Sequence, residues 1–214
     1  MAKLVESRSK KPVRDVREFE EQRVLQLPQA LRLEQTLTSV INTREWRDPL
    51  FRDAYAVRIL LRTGVRRFEF CKLRIGDVED DKLRVVGKGN IKDYVPLFPA
   101  AAAAIAEWVA WKSTRGEDTS PKAFMFVGHD GPVSFSTVRL GWKKILELAG
   151  LPDHYGLHAL RHTAGLIVYA QTADLAATAR FLRHTDIKTT AKFYLHVDVE
   201  QLRAQLGKVD IWKT

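Results

Sequence analysis

Two arginines, two histidines, a lysine and a tyrosine stand in five short segments of this chain, and as a set they suit one kind of chemistry. Arg66 lies in Thr63-Gly64-Val65-Arg66-Arg67-Phe68-Glu69, and Lys88 in Gly87-Lys88-Gly89-Asn90. His158 and Arg161 share His158-Ala159-Leu160-Arg161-His162-Thr163; His184 closes Leu182-Arg183-His184; Tyr194 follows Thr189-Thr190. Guanidinium forks match the paired oxygens of a phosphate, and imidazole, ammonium and phenol supply donors and a nucleophile, so the set suits a phosphodiester. Each residue alone has a plainer reading. A His-x-x-Arg pair is commonly a surface pair, and a tyrosine is commonly half-buried packing. The weight lies in the combination and its order along the chain.

The elements that must hold these residues can be read from periodicity. Ala30, Leu33, Leu37 and Val40 recur on one helical face after Pro28. Asp48-Pro49 has the form of an N-cap followed by a first-turn proline, Leu50, Ala54, Val57 and Leu61 continue that helix, and Gly64 stands at its C-terminal cap. A short helix is expected over residues 65–73, then a hairpin with strands 83–86 and 91–97 around Gly87–Asn90. Pro99 to about Thr114 should be helical, with Ile105, Trp108 and Trp111 in the core. Phe124–Val127 reads as a short strand before the Asp130-Gly131-Pro132 turn. Val138, Trp142, Ile145 and Ala149 mark a helix stopped by Gly150 and Pro152. From Gly156 to about Leu206 the pattern gives successive helices, broken at Thr172–Asp174 and His184–Asp186. On the helix containing them, His158 and Arg161 are three apart and share a face. The expected fold class is α+β, mainly α, with one small antiparallel sheet whose hairpin carries Lys88.

The chain has 214 residues and a formal net charge of +9, which favours a polyanionic partner through counterion release. Its one cysteine, Cys71, excludes an intramolecular disulfide and a cysteine metal cluster. No apolar run approaches the roughly 20 residues of a membrane span, and the charged N-terminus is not a secretory signal. A cytoplasmic protein is expected, associated with the nucleoid if prokaryotic. Residues 1–26 are polar and basic and read as a tail, a linker or a phosphate-touching arm, preceding a domain over 27–214.

Taken together, the five segments resemble the motifs of the tyrosine site-specific recombinases, the phage integrases. Thr63–Glu69 is similar to that family's TGLRxSE box, Gly87–Asn90 to its GKGN hairpin, and His158–Thr163 to its HxLRHT box. Leu182–His184 resembles LGH, and Thr189–His196 resembles TTxxYxH. The likeness spans roughly residues 28–200, with the motifs in family order.

The resemblance implies a DNA cleaving and rejoining enzyme with chemistry like that of type IB topoisomerases. Arg66 and Arg161 would clamp the scissile phosphate and stabilise its pentacoordinate transition state. Tyr194 would attack phosphorus, leaving a 3′-phosphotyrosyl link and a free 5′-hydroxyl. Lys88 would protonate the leaving oxygen, His158 would act as general base, and His184 would donate a hydrogen bond to the phosphate. Glu69 would support the site by orienting its neighbours; its alternative is a simple surface ion pair. No metal and no cofactor is implied. The implied partner is double-stranded DNA, with a monomer in solution and a homotetramer on synapsed DNA, as in a mobile element's recombinase.

The chain departs from the family pattern in three places. His184 and Tyr194 are ten residues apart, one more than usual, so Phe193 takes the expected slot and a bulge or loop must reposition Tyr194. Arg183 replaces the glycine that usually precedes the histidine, disturbing the turn or adding a phosphate contact. Residues 1–26 are too short for the usual N-terminal core-binding domain. Two rival readings stand beside the recombinase. His154, His158 and His162 at four-residue spacing suggest a metal hydrolase, though no HExxH glutamate accompanies them. A relative acting only as a sequence-specific DNA-binding module is the other. At the C-terminus, Val199, Leu202 and Leu206 lie at helical spacing and Ile211-Trp212 form an apolar tip; residues from about 197 to 214 either pack in cis or exchange between protomers.

Overall fold

The computed structural model describes residues 24–45, 47–194, 198–200 and 204. Its helices are α1 (Leu27–Thr43), α2 (Pro49–Thr63), α3 (Arg67–Phe70), α4 (Pro99–Thr114), α5 (Phe135–Leu148), α6 (His158–Thr172), α7 (Leu175–Leu182) and α8 (Ile187–Tyr194). Three strands, β1 (Val78–Glu79), β2 (Lys82–Val86) and β3 (Lys92–Pro96), form one antiparallel sheet in the order β1-β2-β3. No described helix is long and apolar enough to cross a membrane.

Local chemistry sets most of these boundaries. Asp48 caps α2 by accepting the Leu50 N–H at 2.9 Å, and Gly64 ends it at φ 60°, where a side chain would be strained. Asp174 caps α7 through the Ala176 and Ala177 amides. The apolar face Ala30, Leu33, Leu37 and Val40 of α1 is buried as its spacing requires. Helix α2 packs against α1, α4, α5 and α6, and α6 is buried over the whole run Ala159–Ala170. These two helices form the centre of the molecule. Trp108 fills the space beside them, stacked on Phe126 with centroids 4.8 Å apart, and its indole N–H is met by the Met125 carbonyl.

Three elements differ from the sequence expectation. The helix expected over 65–73 is a single turn, Arg67–Phe70, because Arg66 stays extended and serves as its cap. The strand expected at Phe124–Val127 is reduced to two isolated bridges, Arg74 with Phe124 and Val127 with Pro132, since no neighbouring strand runs long enough to pair with it. The sheet gains β1, which pairs with β2 through Val78–Leu83 and Glu79–Lys82. Val24 and Leu25 are buried, and the Leu25 N–H is bound by Thr163 Oγ1 at 3.0 Å, so packing begins ahead of α1. Val199 packs partly buried on the core, whereas residues 1–23, His196, Leu202, Leu206, Ile211 and Trp212 lie outside the described residues.

The sheet sits where it matters for the site. Strand β2 touches α3, and β3 touches α7. The hairpin turn Lys88–Asn90 is closed by the Gly87 N–H donating to the Ile91 carbonyl at 2.9 Å, with Gly89 at φ 74° and Asn90 at φ 62°.

Candidate active site

The site is assembled where the C-terminal ends of α2 and α7 meet the start of α6. Arg161, in the first turn of α6, is only 3% exposed and donates from its two terminal nitrogens to the carbonyls of Gly64 and Leu182. Those carbonyls lie at helix C-termini, where unmet acceptors and the helix dipole favour a cation. One guanidinium therefore pins two helix ends together. Burial, followed by the neighbouring charges of Arg66 and Arg183, pushes Arg161 down to about 9, still charged at neutral pH.

Arg66 and Glu69 form a reciprocal pair around the turn of α3. The Arg66 amide donates to Glu69 Oε2 at 2.8 Å and Arg66 Nη1 to Oε1 at 3.1 Å, while Nη2 donates to the Arg183 carbonyl at 2.9 Å. Glu69 is 3% exposed. Burial alone would raise its pKa, but the hydrogen bond and charge of Arg183, joined by the Arg66 amide, hold it below the ordinary carboxylate value. The surface-pair alternative for Glu69 does not describe this geometry. Arg183 itself adopts a left-handed conformation at the end of α7, φ 53°, and its Nη2 reaches Glu69 Oε2 at 2.6 Å. Two guanidiniums, Arg66 and Arg183, thus share the Glu69 carboxylate, whose charge also acts on the buried Arg161.

His184, next along the chain, places Nδ1 2.9 Å from Thr190 Oγ1 on α8. Burial and the charges of Arg161 and Arg66 push it down to about 4, so it is neutral at physiological pH. Where Thr190 donates to Nδ1, the neutral ring carries its proton on Nε2, free to meet an acceptor. His158 begins α6, is exposed, and meets His162 edge-on with ring centroids 4.6 Å apart. Lys88 occupies the hairpin turn, and the adjacent Gly87 lies close to the clamp: a Cβ there would be 3.8 Å from Glu69 Oε1.

Tyr194 is the residue the structure keeps apart. It ends α8 fully buried, its hydroxyl donating to the His162 carbonyl at 2.9 Å and its ring 5.9 Å from that of Tyr169. The phenol lies over Gly165, where a Cβ would come within 2.4 Å of the hydroxyl oxygen. Burial raises its pKa, with only partial opposition from Arg161. Phe193, in the slot one residue earlier, packs on the His162 ring at 4.3 Å. The extra residue between His184 and Tyr194 is accommodated by turning the tyrosine inward, not by a bulge within α8.

Two neighbours of the site were not singled out from the sequence: Asp93 on β3, whose Oδ2 stands 4.0 Å from Arg183 Nε, and Thr190 beside His184. Local pattern carried no signal for Asp93. Thr190 was visible only as part of the motif leading to Tyr194. The histidine row has no metal-site geometry: His154 precedes α6 and lies tilted against Tyr155, ring centroids 4.4 Å apart, and among the described residues no three His, Cys, Asp or Glu side chains could hold an ion.

The phage integrase family model matches residues 25–201. The tyrosine recombinase XerC of Corynebacterium glutamicum is 32% identical over 163 residues, covering 74% of this chain and 52% of the relative. The structure of XerA recombinase superposes with a TM-score of 0.66 at 25% identity, over 87% of this chain and 65% of that one. The XerH site-specific recombinase bound to palindromic difH substrate, in a post-cleavage complex, superposes at 0.67 with 18% identity, over 86% and 53% respectively. The chain thus spans about half the length of XerC.

Proposed function

The chain belongs to the phage integrase family, and on that premise we propose that it is a site-specific recombinase that cleaves and rejoins double-stranded DNA through Tyr194. The observation that carries the proposal is the convergence of the Arg66 and Arg161 guanidiniums on the C-terminal ends of α2 and α7, beside a neutral His184. Such an excess of fixed positive charge suits the phosphate's nonbridging oxygens, whose charge grows in the pentacoordinate transition state.

The chemistry balances without an added reactant. Tyr194 Oη bonds to phosphorus as the P–O5′ bond breaks, its proton passing to His158 while Lys88 protonates the departing 5′-oxygen. His184 donates from Nε2 to a nonbridging oxygen. Because phenolate is a competent leaving group, a 5′-hydroxyl can later attack the phosphotyrosine and reseal a strand. The tyrosine must first leave its seat over Gly165, since a hydroxyl donating to the His162 carbonyl is neither exposed nor activated. Residues 27–214 are assigned as the catalytic domain, with Val24 and Leu25 packed onto it, and 1–26 as a basic tail or linker. The working form on DNA is a homotetramer, and the location is the cytoplasm or nucleoid.

Covalent trapping tests this. The protein is incubated without metal with a nicked duplex bearing a site selected from a random-sequence library, alongside a Tyr194→Phe control. An SDS-resistant adduct that disappears in the control is expected. DNA binding without any adduct would instead make this chain a DNA-binding module.

A further inference from the structure

Arg183 is the guanidinium that the proposed reaction leaves unused, and its surroundings are unusual. Its side chain is 6% exposed, yet only Nη2 is bound, to Glu69; Nε and Nη1 are buried with no hydrogen-bond partner among the described residues. Buried donors are nearly always met, so two unmet on one side chain point to a partner that arrives later. Besides Glu69, Arg183 faces Asp93, whose Oδ2 stands 4.0 Å from Nε, beyond hydrogen-bond reach, while Oδ1 accepts the Tyr94 amide. The backbone at Arg183 lies at φ 53°, a conformation suited to glycine, so the side chain is retained there against a conformational cost.

Asp93 belongs to β3, paired with Val85 on β2, and the two strands carry the turn containing Lys88. The base of that turn already abuts Glu69 at Gly87. A movement of the hairpin by roughly 1 Å would bring Asp93 onto Arg183. Glu69 would then hold one edge of the guanidinium and Asp93 another, fastening the hairpin to the Arg66 clamp. We propose that Arg183 and Asp93 form a latch that closes over bound DNA and sets Lys88 at the leaving oxygen, so that Arg183 is a positioning residue acting through the general acid. The proposal rests on the recombinase reading above.

The test exploits a leaving group that needs no acid. Adduct formation is timed in single turnover on two nicked duplexes of the selected site, one with an ordinary scissile phosphate and one with a 5′-bridging sulfur. Arg183→Gly, which suits the backbone, and Asp93→Ala are each expected to slow cleavage of ordinary DNA by about tenfold to a hundredfold, the scale of general-acid loss. On the sulfur-bridged DNA both should return to within about threefold of the unmodified protein, as should Lys88→Ala. Arg183→Gly added to Lys88→Ala should slow ordinary cleavage no further, the mark of residues acting as one unit. Equal slowing on both DNAs would overturn the latch, making Arg183 a phosphate ligand or a fold determinant; no slowing would overturn it too. A failure of the unmodified protein to form adduct on either DNA would overturn the recombinase reading, and the latch with it.

Discussion

Gly165→Ala is the perturbation that most directly probes buried Tyr194, the proposed nucleophile. A Cβ at this position would lie 2.4 Å from Tyr194 Oη, 3.1 Å from its Cζ and 2.6 Å from Leu182 Cδ1. The methyl and the seated phenol cannot share that space. Overpacking of this kind costs about 1–3 kcal/mol. Losing the Tyr194 hydrogen bond to the His162 carbonyl adds about 1 kcal/mol. Alanine returns about 0.5–1 kcal/mol through its better helix propensity. The net loss is then about 1–3 kcal/mol, which for a chain of this size lowers Tm by roughly 3–10 °C. The clash and the lost bond penalise only the seated state. A bias of about 2 kcal/mol against it raises the population of released tyrosine roughly 30-fold. Nitration with tetranitromethane, read at Tyr194 by peptide mass spectrometry, reports that population. The unmodified protein should be protected at Tyr194 and the variant reactive, with faster initial adduct formation. A variant with unchanged Tm and a protected Tyr194 would refute the idea that the seat over Gly165 restrains the nucleophile.

Two further outcomes follow from the charge cluster. Glu69→Gln leaves Arg66 and Arg183 without their shared carboxylate and should lower the unfolding free energy by about 3 kcal/mol in urea titration, with added sulfate restoring part of the loss. The pH dependence of stability should carry the mark of His184. Its folded pKa is about 4 against 6.5 for an ordinary histidine, so between those values the unfolded chain binds more protons than the folded one. Stability is therefore expected to fall as pH drops through this window and to be fully present above it. Glu69, held below its ordinary value, acts in the same direction at the acidic end. Denaturation midpoints at pH 5 and pH 7 should converge on each other in His184→Asn, while an unaltered difference would assign the slope to other groups.

The fold was legible wherever the signal was local. Asp48-Pro49, Gly64 and Pro99 mark helix ends through backbone chemistry that acts within a few residues, and the helices begin and stop there. The apolar faces of α1 and α2 were readable because burial follows helical period. The misread elements, 65–73 and Phe124–Val127, are those whose extent is set by distant partners: Arg66 turns away to reach the Arg183 carbonyl, and Phe124 finds only Arg74.

The same division runs through the site. Residue types and their order in sequence were enough to suggest phosphodiester chemistry, because Arg66, Lys88, His158, Arg161, His184 and Tyr194 each sit in a recognisable local frame. Tertiary structure alone decided how they stand to one another. Arg161 pins Gly64 and Leu182 across 97 and 21 residues of chain, and Arg183 reaches Glu69 across 114. Tyr194 is withdrawn onto Gly165 by packing between α8 and α6, with its hydroxyl held 32 residues away at His162. Local spacing fixes which face of a helix a side chain occupies, but not what packs against that face. That depends on long-range contacts, formed when burial and unmet hydrogen-bonding groups are satisfied together.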